Sequence, residues 1–117
     1  MVDAGEPDRE PDRELETIDG RIQATMDRLA ELVFAGEVLN ESIDMRIHYG
    51  GRELIDEIYE WKVDVEHTIQ VYQDAQTDGD EFTEADMWAL ENDYDLAAAA
   101  LERLRERVGD AAAPAAA

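Results

Sequence analysis

The residues best suited to chemistry in this 117-residue chain are its two histidines and the carboxylates near them. Asp64 and His67 are three residues apart, a spacing that places both side chains on one face of a helix. Carboxylate and imidazole groups bind divalent transition metals, and Glu37 would add a ligand from a facing helix. His48 has only Asp44, four residues earlier, at helical spacing. The sequence therefore offers one candidate metal site.

This set, Glu37, Asp64 and His67, resembles part of the site in ferritin-like helical bundles. Those proteins take a Glu-x-x-His motif from one helix and further glutamates from facing helices. The resemblance implies a metal-binding bundle as an alternative function. Here the first residue of the motif is Asp64 instead of Glu, and one such motif is present, so a two-metal site would require a second chain.

A second acidic motif, spanning residues 74–86, resembles the loop of a calcium-binding EF-hand. Five of its residues occupy loop positions 1, 3, 5, 6 and 7: Asp74, Gln76, Asp78, Gly79 and Asp80. Ala85 stands at position 12, where the family has a bidentate glutamate, and Glu81 replaces the apolar residue at position 8. We therefore expect an acidic turn between helices here, with no cofactor.

Other kinds of active site lack a basis in the sequence. The chain has no cysteine and a single serine, Ser42, so thiol catalysis, disulfides and a serine nucleophile in a recognisable motif are not expected. No glycine-rich phosphate-binding motif occurs. We expect a protein that is not an enzyme.

The elements that must position these residues follow from the spacing of apolar side chains. Three segments carry apolar residues every three or four positions, which predicts three helices with one buried face each. The first runs through Leu15, Ile18, Ile22, Leu29, Leu32, Leu39 and Ile43, the second through Leu54, Ile55, Ile58, Trp61, Val65, Ile69 and Tyr72, and the third through Met87, Leu90, Tyr94, Ala97, Leu101, Leu104 and Val108. Thr83 and Asp86 resemble a capping box that begins the third helix.

The predicted fold is all-α, a long antiparallel helical hairpin plus a third helix, bundle-like or coiled-coil-like. Gly36 and Asn40 are the positions where the first helix could break or kink, and the sequence leaves open whether the helix is continuous through Gly36. The pair Gly50 and Gly51 is expected to end it. Folding back at these glycines places Gly36 opposite Val65 and Glu37 opposite Asp64.

A β-hairpin within residues 43–71 is the competing interpretation, which would make the fold α+β. Apolar and polar residues alternate at 43–49 and again at 59–71, and many are β-branched. A strand over 59–71 would be about twice the usual length and would have no third strand beside it.

The charge of the chain is strongly negative, with 31 acidic and 10 basic residues and a formal net charge of -21. Residues 53–95 hold 15 acids and one base, and nine of the ten bases are arginine. This composition resembles that of proteins from salt-in halophiles, where molar salt reduces the Debye length to about 3 Å. So negative a surface disfavours direct nucleic-acid binding.

The two ends of the chain differ in composition from the middle. Residues 1–12 are predicted to form a disordered acidic tail, residues 13–109 the helical domain, and residues 110–117 a flexible alanine-rich tail, with Gly109 ending the third helix. The longest apolar run, residues 96–101, is far shorter than the roughly 20 residues of a membrane span. Without a basic, apolar leader at the N-terminus, a cytoplasmic location is expected.

The leading functional hypothesis is a small acidic helical interaction or scaffolding protein in the high-salt cytoplasm of a halophile or its virus. Its partner is a protein: a second copy in a homo-oligomer, or other subunits of a larger assembly. The predicted interface lies on the third helix, at Met87, Trp88, Leu90, Tyr94, Leu101 and Leu104. A further alternative is an acidic regulator that docks on a basic partner surface.

Overall fold

The computed structural model describes residues 17–112, and these form three helices. The helices are α1 (Ile18–Glu41), α2 (Gly51–Asp78) and α3 (Glu84–Ala111), and each contacts the other two. Within residues 17–112 there is no strand, only an isolated bridge between His48 and Ala112. The predicted all-α fold is therefore confirmed. The sequence-predicted tail at 1–12 and the last five residues lie outside the described part of the chain.

Short polar motifs set where α1 and α3 begin. Thr17 is the N-cap of α1, and its hydroxyl accepts a hydrogen bond from the Gly20 amide at 3.0 Å. At α3 the predicted capping box is present: the Asp86 amide donates to the Thr83 hydroxyl, and the Thr83 amide donates to the Asp86 carboxylate. Each cap satisfies amides that have no partner within the helix.

The core lies along the line where the three helices meet. Its twelve buried apolar side chains come from all three: Ile22, Met26 and Leu29 from α1, Leu54, Ile58, Trp61 and Val65 from α2, and Met87, Leu90, Leu101, Leu104 and Val108 from α3. All twelve except Met26 belong to the three apolar series read from the sequence. The periodicity therefore identified the buried face of each helix.

α1 is continuous through Gly36, which decides a question that the sequence left open. The helix continues through it to Glu41, because the glycine is buried under the Trp61 ring. A Cβ at position 36 would lie 3.1 Å from Trp61 Cε3 and closer still to its Cζ3. The expected close approach at Gly36 is present, but the neighbour is Trp61 and not Val65.

The hairpin connection is longer than predicted, which explains the shifted pairing. α1 ends at Glu41, and residues 42–50 form a structured loop before α2. Side chains compete with the helix here: the Ser42 hydroxyl donates to the Leu39 carbonyl at 2.6 Å, and the Asp44 carboxylate accepts from the Arg46 amide at 2.9 Å. Such local bonds offer the backbone an alternative to helix. Gly50, at a φ of 69°, then sets the entry to α2.

The predicted helix stop at Gly109 is wrong, because α3 continues to Ala111. Beyond the glycine, the Tyr49 amide donates to the Ala111 carbonyl at 2.9 Å, and Ala112 forms the bridge with His48. The end of α3 is thus held by the α1–α2 loop. The first residues of the segment predicted as a flexible tail, 110–112, belong to this packed end.

The α+β alternative is also wrong, because residues 59–71 all lie in α2. The alternating pattern divides between two faces of one helix. Trp61 and Val65 are buried, whereas Tyr59, Val63 and Val71 are exposed. Burial at a spacing of four residues is helical, and the alternation was a by-product of β-branched residues on the outer face.

Candidate interaction surface

The structure does not bring the proposed metal ligands together. Glu37 forms an ion pair with Lys62 at 3.0 Å, and this hydrogen bond raises the pKa of Lys62. Asp64 and His67 are exposed on α2. The extended loop before α2 changes the register, so a cation and not a carboxylate faces Glu37. Across residues 17–112, no group of three or more acidic or histidine side chains is arranged to hold a metal ion.

The EF-hand-like motif is mostly helix in the structure. Residues 74–78 form the last turn of α2, and Gly79 ends that helix with a φ of 80°. The Asp74 carboxylate accepts a hydrogen bond from Gln70 at 2.7 Å. Loop positions 1, 3 and 5 therefore point around a helix, where they do not converge on one ion.

His48 has a structural place at the end of the bundle. It is buried, and its Nδ1 lies 3.0 Å from the Asp44 amide nitrogen, which donates to it. Hydrogen bonds from the Arg46 side chain and backbone lower the pKa of Asp44 to about 2. Together these contacts order the α1–α2 loop. They also explain why His48, the one buried histidine among the described residues, is needed at this position.

An open cleft of about 380 Å³ lies between α1 and α3, and two arginines line it. Arg21 holds both carboxylate oxygens of Glu91, at 2.9 and 2.7 Å. Arg28 lies over the Tyr94 ring, 5.8 Å from its centroid. Both guanidinium groups therefore contact side chains of α3, and these contacts hold α1 against α3.

Four of the six residues predicted as an interface lie in the chain's own core. Met87, Leu90, Leu101 and Leu104 are buried against α1 and α2, so they are not available to a second chain. The prediction assumed that the α1–α2 hairpin offers limited room for α3. In the structure α3 packs against both α1 and α2, so the apolar faces of the three helices cover one another.

The remaining two residues of the predicted interface differ in exposure. Tyr94 is half-buried beneath Arg28. Trp88 keeps 58% of its surface exposed, and Leu96, two turns further along α3, keeps 61%. Large apolar side chains this exposed mark interaction sites when they form a continuous surface.

Trp88 and Leu96 belong to a continuous uncharged stripe on the outer face of α3. Its members are all exposed and follow one another at intervals of three, four, four and three residues: Ala85, Trp88, Asn92, Leu96 and Ala99. These intervals average close to the 3.6 residues of a helical turn, so the side chains lie in a straight line along the helix. We call these five residues the outer stripe.

The outer stripe runs for four turns and carries two large exposed apolar side chains, Trp88 and Leu96. On α1 the exposed apolar residues Phe34 and Val38 are followed on the same face by Glu41. On α2 the exposed Tyr59 and Val63 are followed on their face by the polar residues His67 and Gln70. Acidic residues such as Asp93 and Asp95 flank it without interrupting it.

The sequence predicts Trp88 as an interface residue, and it also predicts Leu96 with residues 97–100 as a small-residue face for a second chain, but it does not assign Ala85 and Asn92 to either. Their signal is a second periodic series, offset from the series that fills the core. Alanine and asparagine carry little weight in an apolar pattern, so this series becomes visible only when the buried face is known.

Comparison of the chain with protein-family models, with curated proteins and with solved structures found no match. Within residues 17–112, none of the three helices carries an apolar stretch of the length that a bilayer crossing requires. The case for function therefore depends on the surface of the bundle itself.

Proposed function

We propose that this chain is a non-enzymatic helical interaction protein that assembles with protein partners through the outer stripe of α3. One observation carries the proposal: Trp88 and Leu96 are 58% and 61% exposed on an uncharged line of a chain that is otherwise densely charged. Tryptophan is enriched among the residues that dominate binding energy at protein interfaces. Covering these two side chains would remove apolar surface from water without displacing a charge from the stripe.

The negative charge of the bundle favours assembly at a high salt concentration. Residues 17–112 hold 24 acidic and 8 basic residues, and two chains that meet through α3 bring acidic flanks together. At molar salt the screening length is about 3 Å, shorter than the distance between most of these charges. The uncharged stripe then provides attraction while salt suppresses the repulsion around it.

Affinity purification from the cells in which the chain occurs tests the proposal. We would compare tagged wild-type protein, the double variant Trp88→Ser and Leu96→Gln, and the matched control Tyr59→Ser and Val63→Gln on the outer face of α2. We expect a stoichiometric partner, which includes untagged copies of the chain, to be retained by the wild type and the control and lost from the α3 variant.

Equal recovery of every partner with all three proteins would contradict the proposal. If that shared partner were a basic protein, the result would favour the alternative of an acidic regulator that docks through its charged surface.

A further inference from the structure

We infer that the outer stripe binds a second copy of this chain, with the two α3 helices antiparallel and a two-fold axis at Asn92. This inference rests on the proposed function, since it names the partner of the same surface. Three observations carry it: the order of side chains along the stripe, the chemistry of its central residue, and the distribution of charge along α3.

The order of side chains along the outer stripe is symmetric about Asn92. Trp88 and Leu96 lie four residues to either side of it, and Ala85 and Ala99 lie seven residues to either side. When two such helices pack antiparallel about that centre, Trp88 faces the partner's Leu96 and Ala85 faces the partner's Ala99. Large apolar groups then meet large apolar groups, with small residues beyond them that let the helices approach.

The central residue is suited to meeting its own copy. The Asn92 side chain carries both a hydrogen-bond donor and an acceptor, so two asparagines across a two-fold axis satisfy each other. A shift of one turn would instead bury each amide against Trp88 or Leu96 and leave it without a partner, which is unfavourable. A single buried asparagine is an established way to fix the register of paired helices.

The charges along α3 favour the antiparallel arrangement over the parallel one. Within α3, residues 84–95 contain five acids and no base, whereas residues 96–111 contain three arginines and three acids. Antiparallel packing sets the acidic half of each helix beside the arginine-bearing half of the other. Parallel packing would place the five acids of one helix beside the same five acids of the other.

Arg103 is the residue for which this complementarity is most specific. It is exposed on the line of the outer stripe, one turn beyond Ala99, and forms no ion pair with any residue in 17–112. Arg103 and Glu81 lie eleven residues to either side of Asn92. Glu81 lies in the exposed turn before α3, so the two-fold axis brings Arg103 to the end of the partner's α3 that this acidic turn precedes.

Thiol cross-linking tests this geometry, because the chain contains no cysteine and each introduced thiol is unique. We would treat single-cysteine variants with a short bis-maleimide in molar potassium chloride. Asn92→Cys is expected to yield a covalent dimer by itself. Ala85→Cys and Ala99→Cys are expected to cross-link when mixed but not alone, because 14 residues of helix separate the two copies of either position by about 21 Å.

The control for the cross-linking is Tyr59→Cys on α2, an exposed position outside the outer stripe, which should form no covalent dimer. Light scattering of uncross-linked protein accompanies it. Wild-type protein should show the mass of two chains, and Trp88→Ser with Leu96→Gln should weaken the dimer by more than about tenfold in dissociation constant.

Three outcomes would overturn the inference. Cross-linking of Ala85→Cys to itself would show parallel helices. A monomeric wild type that still loses a cellular partner when the outer stripe is changed would show a different occupant, and the proposed function would stand. A dimer unaffected by the stripe variants would remove both the inference and the support for the proposed docking surface.

Discussion

At the scale of single residues, one contact joins all three helices. The Trp61 ring of α2 covers Gly36 of α1, and its Nε1 donates a hydrogen bond to the Ala97 carbonyl of α3 at 3.0 Å. This hydrogen bond fixes the ring, so the ring cannot move aside for a larger residue at position 36. Close helix packing here depends on the absence of a side chain.

We therefore expect Gly36→Ala to destabilise the protein by about 1–3 kcal/mol, the usual range for overpacking a well-filled core. The matched control is Gly109→Ala, another glycine within a helix, where a Cβ would meet nothing within 4 Å. That change should stabilise by roughly 0.5–1 kcal/mol, because alanine favours helix. Denaturant unfolding in molar potassium chloride measures both, and equal effects at the two sites would contradict the role assigned to Trp61.

At the scale of elements, α3 has two periodic faces with different roles. One face supplies five of the twelve buried core residues, and the opposite face carries the outer stripe. The two series stay on opposite faces because successive residues of a helix are rotated by a constant angle, provided that the helix is formed from its first turn. The capping box of Thr83 and Asp86 defines that first turn.

Removing the cap by Thr83→Ala should destabilise the protein by about 0.5–2 kcal/mol, because the Asp86 amide loses its acceptor. Thr77→Ala is the matched control: Thr77 is exposed in the last turn of α2, where alanine is the better helix former and should be neutral or slightly stabilising. Thermal unfolding of the two variants provides the comparison. A Thr83→Ala variant as stable as the control would show that the cap contributes nothing.

At the scale of the whole molecule, acidic charge outweighs the ion pairs that offset it. Five bases form ion pairs within residues 17–112, and three of these pairs connect different helices: Arg21 with Glu91, Lys62 with Glu37, and Arg107 with Glu57. These partly exposed pairs each contribute little. Most of the 24 acids in this range remain uncompensated, so the folded state carries repulsion that added salt relieves.

We expect the unfolding midpoint to rise as potassium chloride increases from millimolar to molar concentration, because screening acts on this repulsion. The variant Glu60→Gln with Asp64→Asn removes a like-charged pair four residues apart on the exposed face of α2. The unfolding midpoint of this variant should depend less on salt than that of the wild type. Circular dichroism monitors both, and a midpoint that does not change with salt would show that charge repulsion is unimportant for folding.

Much of this organisation was available in the sequence. The number of helices, their buried faces and the cap at Thr83 followed from local spacing, because a helix brings residues three and four apart onto one face. The hairpin register did not follow, since it depends on the nine-residue loop at 42–50, whose shape is set by bonds from Ser42, Asp44 and His48.

The sequence by itself thus determined the fold class, the acidic surface and the residues that are apolar along each helix, all of which are local or compositional properties. Only the tertiary structure decided which apolar residues remain for a partner. Met87, Leu90, Leu101 and Leu104 are covered by α1 and α2, whereas Trp88 and Leu96 are not. The physical reason is that burial depends on how the three helices pack together. The spacing of residues within one helix does not determine which of its faces the other two helices will cover.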